Sequence, residues 1–428
     1  MLRKRLADYA YDLYNIGYAD ARSYLWKALK ISADMQTIMT FLLTICRIPH
    51  SSLRSWPSYL KWRWSGVKAW LSRADHLWAA PNKVSDSISI AVSIVPKVSI
   101  CIPTYNGARY LEACLDSVLS QTYKDIEILA VDDWSTDATL EILERYAAGD
   151  QRIRLVRNEH NLGLVGNWNR CVELAHGEWI KFVFQDDLLR EDCLEKMLAV
   201  AARPVVFCRR DFLFEAGTDE ETIQAYNRIP CIPEVLGNLT DVESVRIQDA
   251  VLREPSNFFG EPTAALLHRS LFERFGMFNA DLAQFCDLEY WIRVAINTGL
   301  SYVDEPLVTF RYHASSMSAS NRDPLREEQV SIFDRLIIGH EFAYNPHYTS
   351  LRWQARGISP KRNFQRELAE KAVWVHARAL ANRHESPDQT WIKRWNKLVK
   401  RYPRLARSSW HLPYQVRKLW MRHIGWKL

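Results

Sequence analysis

The sequence predicts an α/β protein: a mostly parallel, twisted sheet with helices on both faces, extended at each end by helical arms. Three observations predict it. Between residues 98 and 208, five short apolar runs alternate with segments whose apolar residues recur at helical spacing, the pattern of strands joined by crossover helices. The 428 residues are 48% hydrophobic and 25% charged, with 15 Gly and 17 Pro, so they supply a sizeable core and exclude disordered, collagenous and mini-protein classes. The charge is also segregated: residues 1–90 sum to +7, residues 91–350 to −16 and residues 351–428 to +15, and 13 of the 17 Trp lie in the two basic flanks. These boundaries suggest a basic, Trp-rich helical extension over 1–90, a central domain over 97–320 and a basic helical region over 321–428.

The first flank reads as helix over 9–16 and 21–31 with a loop near Gly17, followed by a Trp-rich basic stretch and a polar linker between Ala80 and Lys97. From Val98 the strands are VSICI, DIEILAV, RIRLV, WIKFVF and VVFC. Between them Leu111, Leu115, Val118 and Leu119 share one helical face, Leu140, Leu143 and Ala147 another, and residues 164–175 and 193–201 form two more helices. Further on, GEPTAAL reads as a turn and strand, LFERFGMF as a short helix and reversal, and CDLEYWIRVAINTG as a helix with Trp291, Val294 and Ala295 facing the core. The eight Cys show no paired or zinc-ligand spacing, and Cys101, Cys114, Cys171 and Cys208 sit in apolar runs as small hydrophobes. No secretory leader or membrane-spanning run is evident, so a cytoplasmic location is expected.

In a parallel sheet, ligands sit beyond the carboxyl ends of the strands. Those ends are polar here: Pro103, Thr104, Tyr105 and Asn106 follow the first strand, Asp132 and Asp133 the second, and Gln185, Asp186 and Asp187 the fourth. Adjacent carboxylates repel unless a cation lies between them, so this pattern reads as a metal and phosphate site. The structural alternative is helix capping, which suits Asp133 ahead of Ser135, Thr136 and Asp137.

The run VSICIPTYNGARYLEACLDSVLSQTYKDIEILAVDDWSTDAT, with RNEHNLGLVGNWN, GEWIKFVFQDD, GEPTAALLHRSLFERFGMFN, CDLEYWIRVA and FRYHASS, resembles the family 2 glycosyltransferases of the GT-A fold over roughly residues 97–320. The resemblance implies a GT-A-like domain in which Pro103, Thr104, Tyr105, Asn106 and Asp132 hold the nucleoside, Asp132 accepting from the base imide and Tyr105 lining the base. It implies that Asn161, Gly163 and Asn169 shape the neighbouring loop near the donor. The family's Asp-x-Asp metal motif stands here as Phe184-Gln185-Asp186-Asp187. Asp186 is then the principal ligand of Mn²⁺ or Mg²⁺, with Asp187 beside it and His313 close to metal and diphosphate; loss of metal dependence is the rival reading. Arg311 and Ser316 are weaker neighbours of that site. Asp287 aligns with the family's general base, although an Asp near a helix start is equally at home as an N-cap. Glu289 is the competing base, and Arg293 either meets phosphate or pairs with Glu289 at i, i+4.

The implied activity is inverting transfer of a sugar from a nucleoside-diphosphate sugar, UDP-linked, to a glycan or lipid-linked acceptor hydroxyl in cell-surface polysaccharide or glycoconjugate synthesis. The alternative is a non-catalytic, membrane-associated assembly protein on a degenerate transferase domain. A sugar nucleotidyltransferase is disfavoured, because PTYNGARY lacks a Gly-rich phosphate loop. Two basic amphipathic stretches, one carrying Trp391, Trp395, Leu398 and Tyr402 and the other Val416, Leu419, Trp420 and Ile424, suggest peripheral contact with an anionic membrane on its inner face. The alternative is packing on the acidic central domain. Nucleic acid is not an expected partner.

Overall fold

The computed structural model describes residues 96–253, 257–316, 319, 324–360, 362–381 and 390–408. The expected first-flank helices and the second amphipathic stretch lie outside them.

The predicted alternation is present. Strand β1 (Val98–Thr104) leads to helix α1 (Ala108–Leu119), β2 (Ile126–Asp132) to α2 (Thr139–Gly149), β3 (Ile153–Arg157) to α3 (Leu164–Leu174) and β4 (Trp179–Phe182) through the two-residue β5 (Leu188–Leu189) to α4 (Cys193–Ala199). β6 (Val205–Phe214) is followed by α5 (Glu220–Asn227), α6 (Ile232–Leu236), the short β7 (Asp241–Val242) and α7 (Ser244–Arg253). A turn then leads into β8 (Ala265–His268), α8 (Ser270–Phe275), α9 (Cys286–Thr298) and β9 (Leu300–Tyr312). Five helices follow: α10 (Pro324–Tyr344), α11 (Thr349–Ile358), α12 (Phe364–Ala381), α13 (Thr390–Arg401) and α14 (Pro403–Ser408).

Strand order is β3-β2-β1-β4-β8-β6-β9-β5, with β7 on β9. β3, β2, β1 and β4 are mutually parallel, with Val98 opposite Ile126 and Thr104 opposite Asp132. Beyond β4 the sheet is mixed. β8 returns from a turn and runs antiparallel to both β4 and β6, while β6 and β9 pair in parallel with a bulge near Arg209 and Pro306.

Residues one apart in a strand serve opposite faces, and the two cores follow that rule. Val98, Ile100, Ile102, Ile128 and Ala130 pack with Leu111, Leu115, Leu143 and Leu194 on one side. Cys101, Leu129 and Val131 pack with Val165, Trp168 and Trp291 on the other. Helices therefore cover both faces. The described cysteines are free thiols, and the four read as core residues are buried.

The C-terminal helices share that second core: Phe333, Ile337, Leu368, Val375, Trp391, Trp395 and Leu398 all belong to it. Among the described residues, those before and after 320 belong to one compact unit. The apolar stripe of α13, expected to meet lipid, is used in packing: Trp395 stacks on His376 at 4.8 Å and Trp391 meets Phe333 at 5.5 Å between ring centroids. Among the described residues no helix is long and apolar enough to cross a membrane.

Candidate active site

The ends of β1 and β4 are locked together by one side chain. Gln185 accepts from the Tyr105 backbone N–H (2.9 Å) and donates to the Tyr105 carbonyl (3.1 Å). It lies directly over Gly107, where a Cβ would stand 2.2 Å from its Cδ, so only glycine permits the contact. Asn106, at φ 49°, donates its N–H to Ser135 Oγ (2.9 Å) and accepts from Thr136 N–H (2.8 Å), tying the first loop to the second. Tyr105 is left exposed at the mouth, while Pro103 and Thr104 are buried beneath it.

Asp133 organises the neighbouring loop and is not a helix cap. Its carboxylate accepts from Asn158 Nδ2 (2.7 Å), Leu162 N–H (2.8 Å) and Gly163 N–H (2.9 Å), and its carbonyl accepts from Asn161 Nδ2 (3.0 Å). Gly163 sits at φ +76°, the left-handed region that glycine enters without penalty. Asp132 is enclosed, accepting from Ser135 N–H (3.1 Å) with Arg157 Nε 3.4 Å away. Arg157 in turn lies 4.7 Å from the ring centroid of Trp134, an exposed aromatic at φ 68°. Asn169 does not belong with this group. Its side-chain amide is spent on the Phe278 backbone, donating to the carbonyl and accepting the N–H at 3.0 Å each, which fastens α3 to the turn after α8.

The expected metal residues divide. Asp186 and His313 meet, with Nε2 3.0 Å from Oδ2. The His313 ring lies 4.6 Å from that of Tyr110, and its Nδ1 is 2.9 Å from Ser315 Oγ. Tyr110 donates to Glu215 (2.5 Å), which also pairs with Arg109. Neither Tyr110 nor Glu215 was singled out in the sequence, since they lie 203 and 98 positions from His313 and carry no motif.

Asp187, by contrast, is fully buried with both oxygens engaged, one by Thr263 Oγ1 and the other by the Arg311 N–H (3.1 Å). Burial, then the neighbouring Asp186 charge, holds its carboxyl well above the usual range. Sealed and with both oxygens bonded inside the fold, it does not fit its expected place in the metal set. Phe184, in place of the motif's first acid, packs on the core and stacks on Trp168 at 5.0 Å. Arg311 donates from Nε to the Asp186 carbonyl (3.0 Å), and Ser316 caps a turn through Ala319 N–H (3.1 Å). Among the described residues no group of three His, Cys, Asp or Glu side chains is arranged to hold a metal ion.

Asp287 stands in the first turn of α9, whose N-cap is Phe285, so the capping alternative does not apply. Its Oδ1 accepts the Leu288 N–H at 2.7 Å. Burial raises its pKa to about 7, opposed by that N–H; the Glu261 charge raises it further and Arg210 lowers it. Glu261 and Arg210 form an ion pair. The same Glu261 charge acts on Asp187, and Thr263, two residues on, bonds Asp187 directly. Trp291 of α9 donates to the Gly260 carbonyl at 3.1 Å. One short turn, Gly260 to Ala264, thus brackets the Asp186–Asp187 loop and Asp287.

Glu289 is removed as a competing base. It is buried and bonded to Arg293 (2.9 Å) and Tyr348 Oη (2.7 Å). Arg293 also donates to the carbonyls of Phe275 and Met277, so it serves the core and not a phosphate.

Polar strand-end loops, a paired carboxylate and imidazole, and a second carboxyl with a raised pKa are features shared with α/β group-transfer enzymes. Residues 99–276 match the model of the family described as glycosyl transferase family 2, and the chain belongs to that family. Asp287 and His313 lie beyond the matched residues. An uncharacterized protein of Mycobacterium tuberculosis (strain CDC 1551 / Oshkosh), MT1568, is 31% identical over 255 residues, 58% of this chain and 79% of its own length. The putative teichuronic acid biosynthesis glycosyltransferase TuaG of Bacillus subtilis (strain 168) is 41% identical over 103 residues, 24% of this chain and 41% of its own. The crystal structure of S. aureus TarS residues 1–349 in complex with UDP overlaps 66% of this chain and 79% of that one at 18% identity and a TM-score of 0.45.

Proposed function

We propose that this chain is an inverting glycosyltransferase that moves a sugar from a UDP-linked donor to an acceptor hydroxyl of a glycan or lipid-linked intermediate in cell-surface polysaccharide synthesis. The TuaG likeness supports the polysaccharide setting. The observation that carries the reading is Asp287, an incompletely buried carboxyl with its pKa at about 7, joined by one turn to the Asp186–His313 pair.

A general base works best when its pKa lies near the working pH. Asp287 accepts the acceptor hydroxyl proton while that oxygen bonds to the anomeric carbon and the bond from that carbon to the diphosphate oxygen breaks. A single displacement of this kind inverts the anomeric configuration. Asp287 is left protonated, and the electron pair leaves with the nucleoside diphosphate. Tyr105 offers its exposed ring to the base, and Asp132 becomes available to the base imide once Arg157 turns aside.

Asp186 and His313 would hold Mn²⁺ or Mg²⁺, a carboxylate oxygen and an imidazole nitrogen leaving the remaining positions to phosphate oxygens. Such an ion supplies charge stabilisation to a departing diphosphate. Peripheral membrane contact, with the α13 stripe already packed, falls to the basic stretch over 413–428.

The test is Asp287→Asn, which should bind UDP with Mn²⁺ as the wild type does and lose at least 100-fold in transfer. Full transfer by that variant rejects the role. Asp186→Ala should weaken binding of UDP and Mn²⁺ together in calorimetric titration. Wild-type protein that binds no member of a panel of UDP-glucose, UDP-galactose, UDP-GlcNAc and GDP-mannose by thermal shift would instead favour the assembly-protein reading.

A further inference from the structure

The segment 279–289 carries Asp287, and the helices beyond residue 320 grip it at three points. Tyr402, just past α13, donates to Asp281 (2.9 Å) and accepts from Asn279 Nδ2 (3.2 Å), while Arg401 Nε lies 3.2 Å from Asp281. Asp334 of α10, fully buried, accepts three successive backbone N–H groups, from Ala283 (3.0 Å), Gln284 (2.7 Å) and Phe285 (3.0 Å). Tyr348 donates to Glu289, to its carboxylate at 2.7 Å and its carbonyl at 3.0 Å.

These contacts are unlike ordinary packing of a helical arm. The first N–H groups at a helix start have no partner within the helix and are usually met by a local side chain. Phe285 at the N-cap of α9 supplies none. Asp334, some 50 residues away, instead holds the backbone N–H groups of residues 283–285, immediately ahead of the turn that presents Asp287. Charged acceptors facing several N–H donors make strong, directional bonds. With both ends of the segment and its middle fixed from the same arm, the Asp287 carboxyl has little freedom to move away from Glu261 and Arg210.

We infer that the C-terminal helical arm is a positioning device for the general base: Asp334, Tyr348 and Tyr402 hold segment 279–289 so that Asp287 faces the acceptor. This rests on the glycosyltransferase reading for what Asp287 does, but not for where it is held. None of the three touches substrate; each acts through the segment it bonds.

The experiment uses the full chain with Asp334→Asn, which keeps the side-chain shape but turns one acceptor oxygen into a donor facing N–H groups, and Tyr402→Phe, which removes only a hydroxyl. Three readouts are compared with wild type. Hydrogen–deuterium exchange over 279–289 should quicken at least tenfold in both variants, with that over 98–132 unchanged. UDP with Mn²⁺ should bind within twofold of wild type, while turnover of the best-stabilising sugar nucleotide of the panel loses at least tenfold in kcat at constant KM. The acid limb of the pH–rate profile should move from its wild-type position, and the part of the pH dependence of melting that Asp287→Asn removes should shift with it.

Unchanged exchange over 279–289 overturns the inference. So does faster exchange with wild-type kcat and an unmoved pH limb, which marks the arm as structural only. If wild type turns over no sugar nucleotide, the catalytic reading fails separately. The exchange and melting data then decide the positioning claim, and variants that retain the wild-type melting profile reject it.

Discussion

Burial decides what Asp287 does. Its carboxyl ionises at about 7 in the folded chain against an ordinary 3.8. Between those values the folded state keeps a proton that the unfolded chain has released, so its contribution to stability falls as pH rises through this window and is level above it. Asp287→Asn cannot titrate. Scanning calorimetry should therefore show the variant gaining on wild type between pH 5 and 8, and an identical gap at both pH values would mean that the carboxyl is not desolvated. A second prediction concerns Gly107 and Gln185. Gly107→Ala displaces the Gln185 amide and with it two hydrogen bonds to Tyr105. Each single variant, Gly107→Ala or Gln185→Ala, should cost about 1–3 kcal/mol. They remove the same bonds, so the double variant should cost no more than either alone; additive losses in urea titrations would show that the two act separately. The strand-end motif pointed to Asp186 and the family resemblance to His313, and the two side chains meet. The sequence put Asp186 first but kept Asp187 in the metal set, because adjacent residues of one type are separated only by the direction each side chain takes after the strand, and a buried Thr263 meets one of them. Asn169 went astray for the same reason: its partner is a backbone 109 positions away.

At the scale of elements, period-2 and period-3.6 patterning exposed the first four strands, the helices between them and the strands at VVFC and GEPTAAL, since each buries one continuous apolar face or run. It gave β9 only as an unbounded strand ahead of FRYHASS, because the alternation is broken by Asp304, Glu305 and Pro306 where a bulge against β6 absorbs the irregularity. α13 shows the limit from the other side. Its stripe of Trp391, Trp395 and Leu398 was plain, but periodicity reveals a face and not what covers it. The structure supplies α10 and α12 as the cover. Trp395→Ala should consequently cost about 3–5 kcal/mol through the cavity it leaves, read as a fall in the denaturant midpoint without change in vesicle flotation. Lost flotation with unaltered stability would restore that face to the lipid.

At the scale of the whole molecule, the question is whether the arm beyond residue 320 can be removed. Ion pairs between the basic arm and the acidic domain exist, such as Arg401 with Asp281, but exposed pairs contribute little, about 0–1 kcal/mol each. The weight lies in burial. Phe333, Leu336, Ile337, Leu351, Leu368 and Trp395 are nearly or wholly sealed against the second core. Each such side chain contributes about 1.5–3 kcal/mol, so together they match or exceed the 5–15 kcal/mol by which a typical domain is stable. A chain ending at Ser320 would expose the facing surfaces of α9 and leave the N–H groups of residues 283–285 unpaired. It should show no cooperative melting transition and bind 1-anilinonaphthalene-8-sulfonate, whereas a chain ending at Ser408 should melt as one unit close to the full-length temperature. Because the attachment is apolar, 1 M NaCl should leave that temperature within a few degrees of its low-salt value. A marked fall in high salt would shift the weight of the attachment to the +15 and −16 charge blocks, and a stable, cooperative chain ending at Ser320 would show that the family domain needs no arm at all.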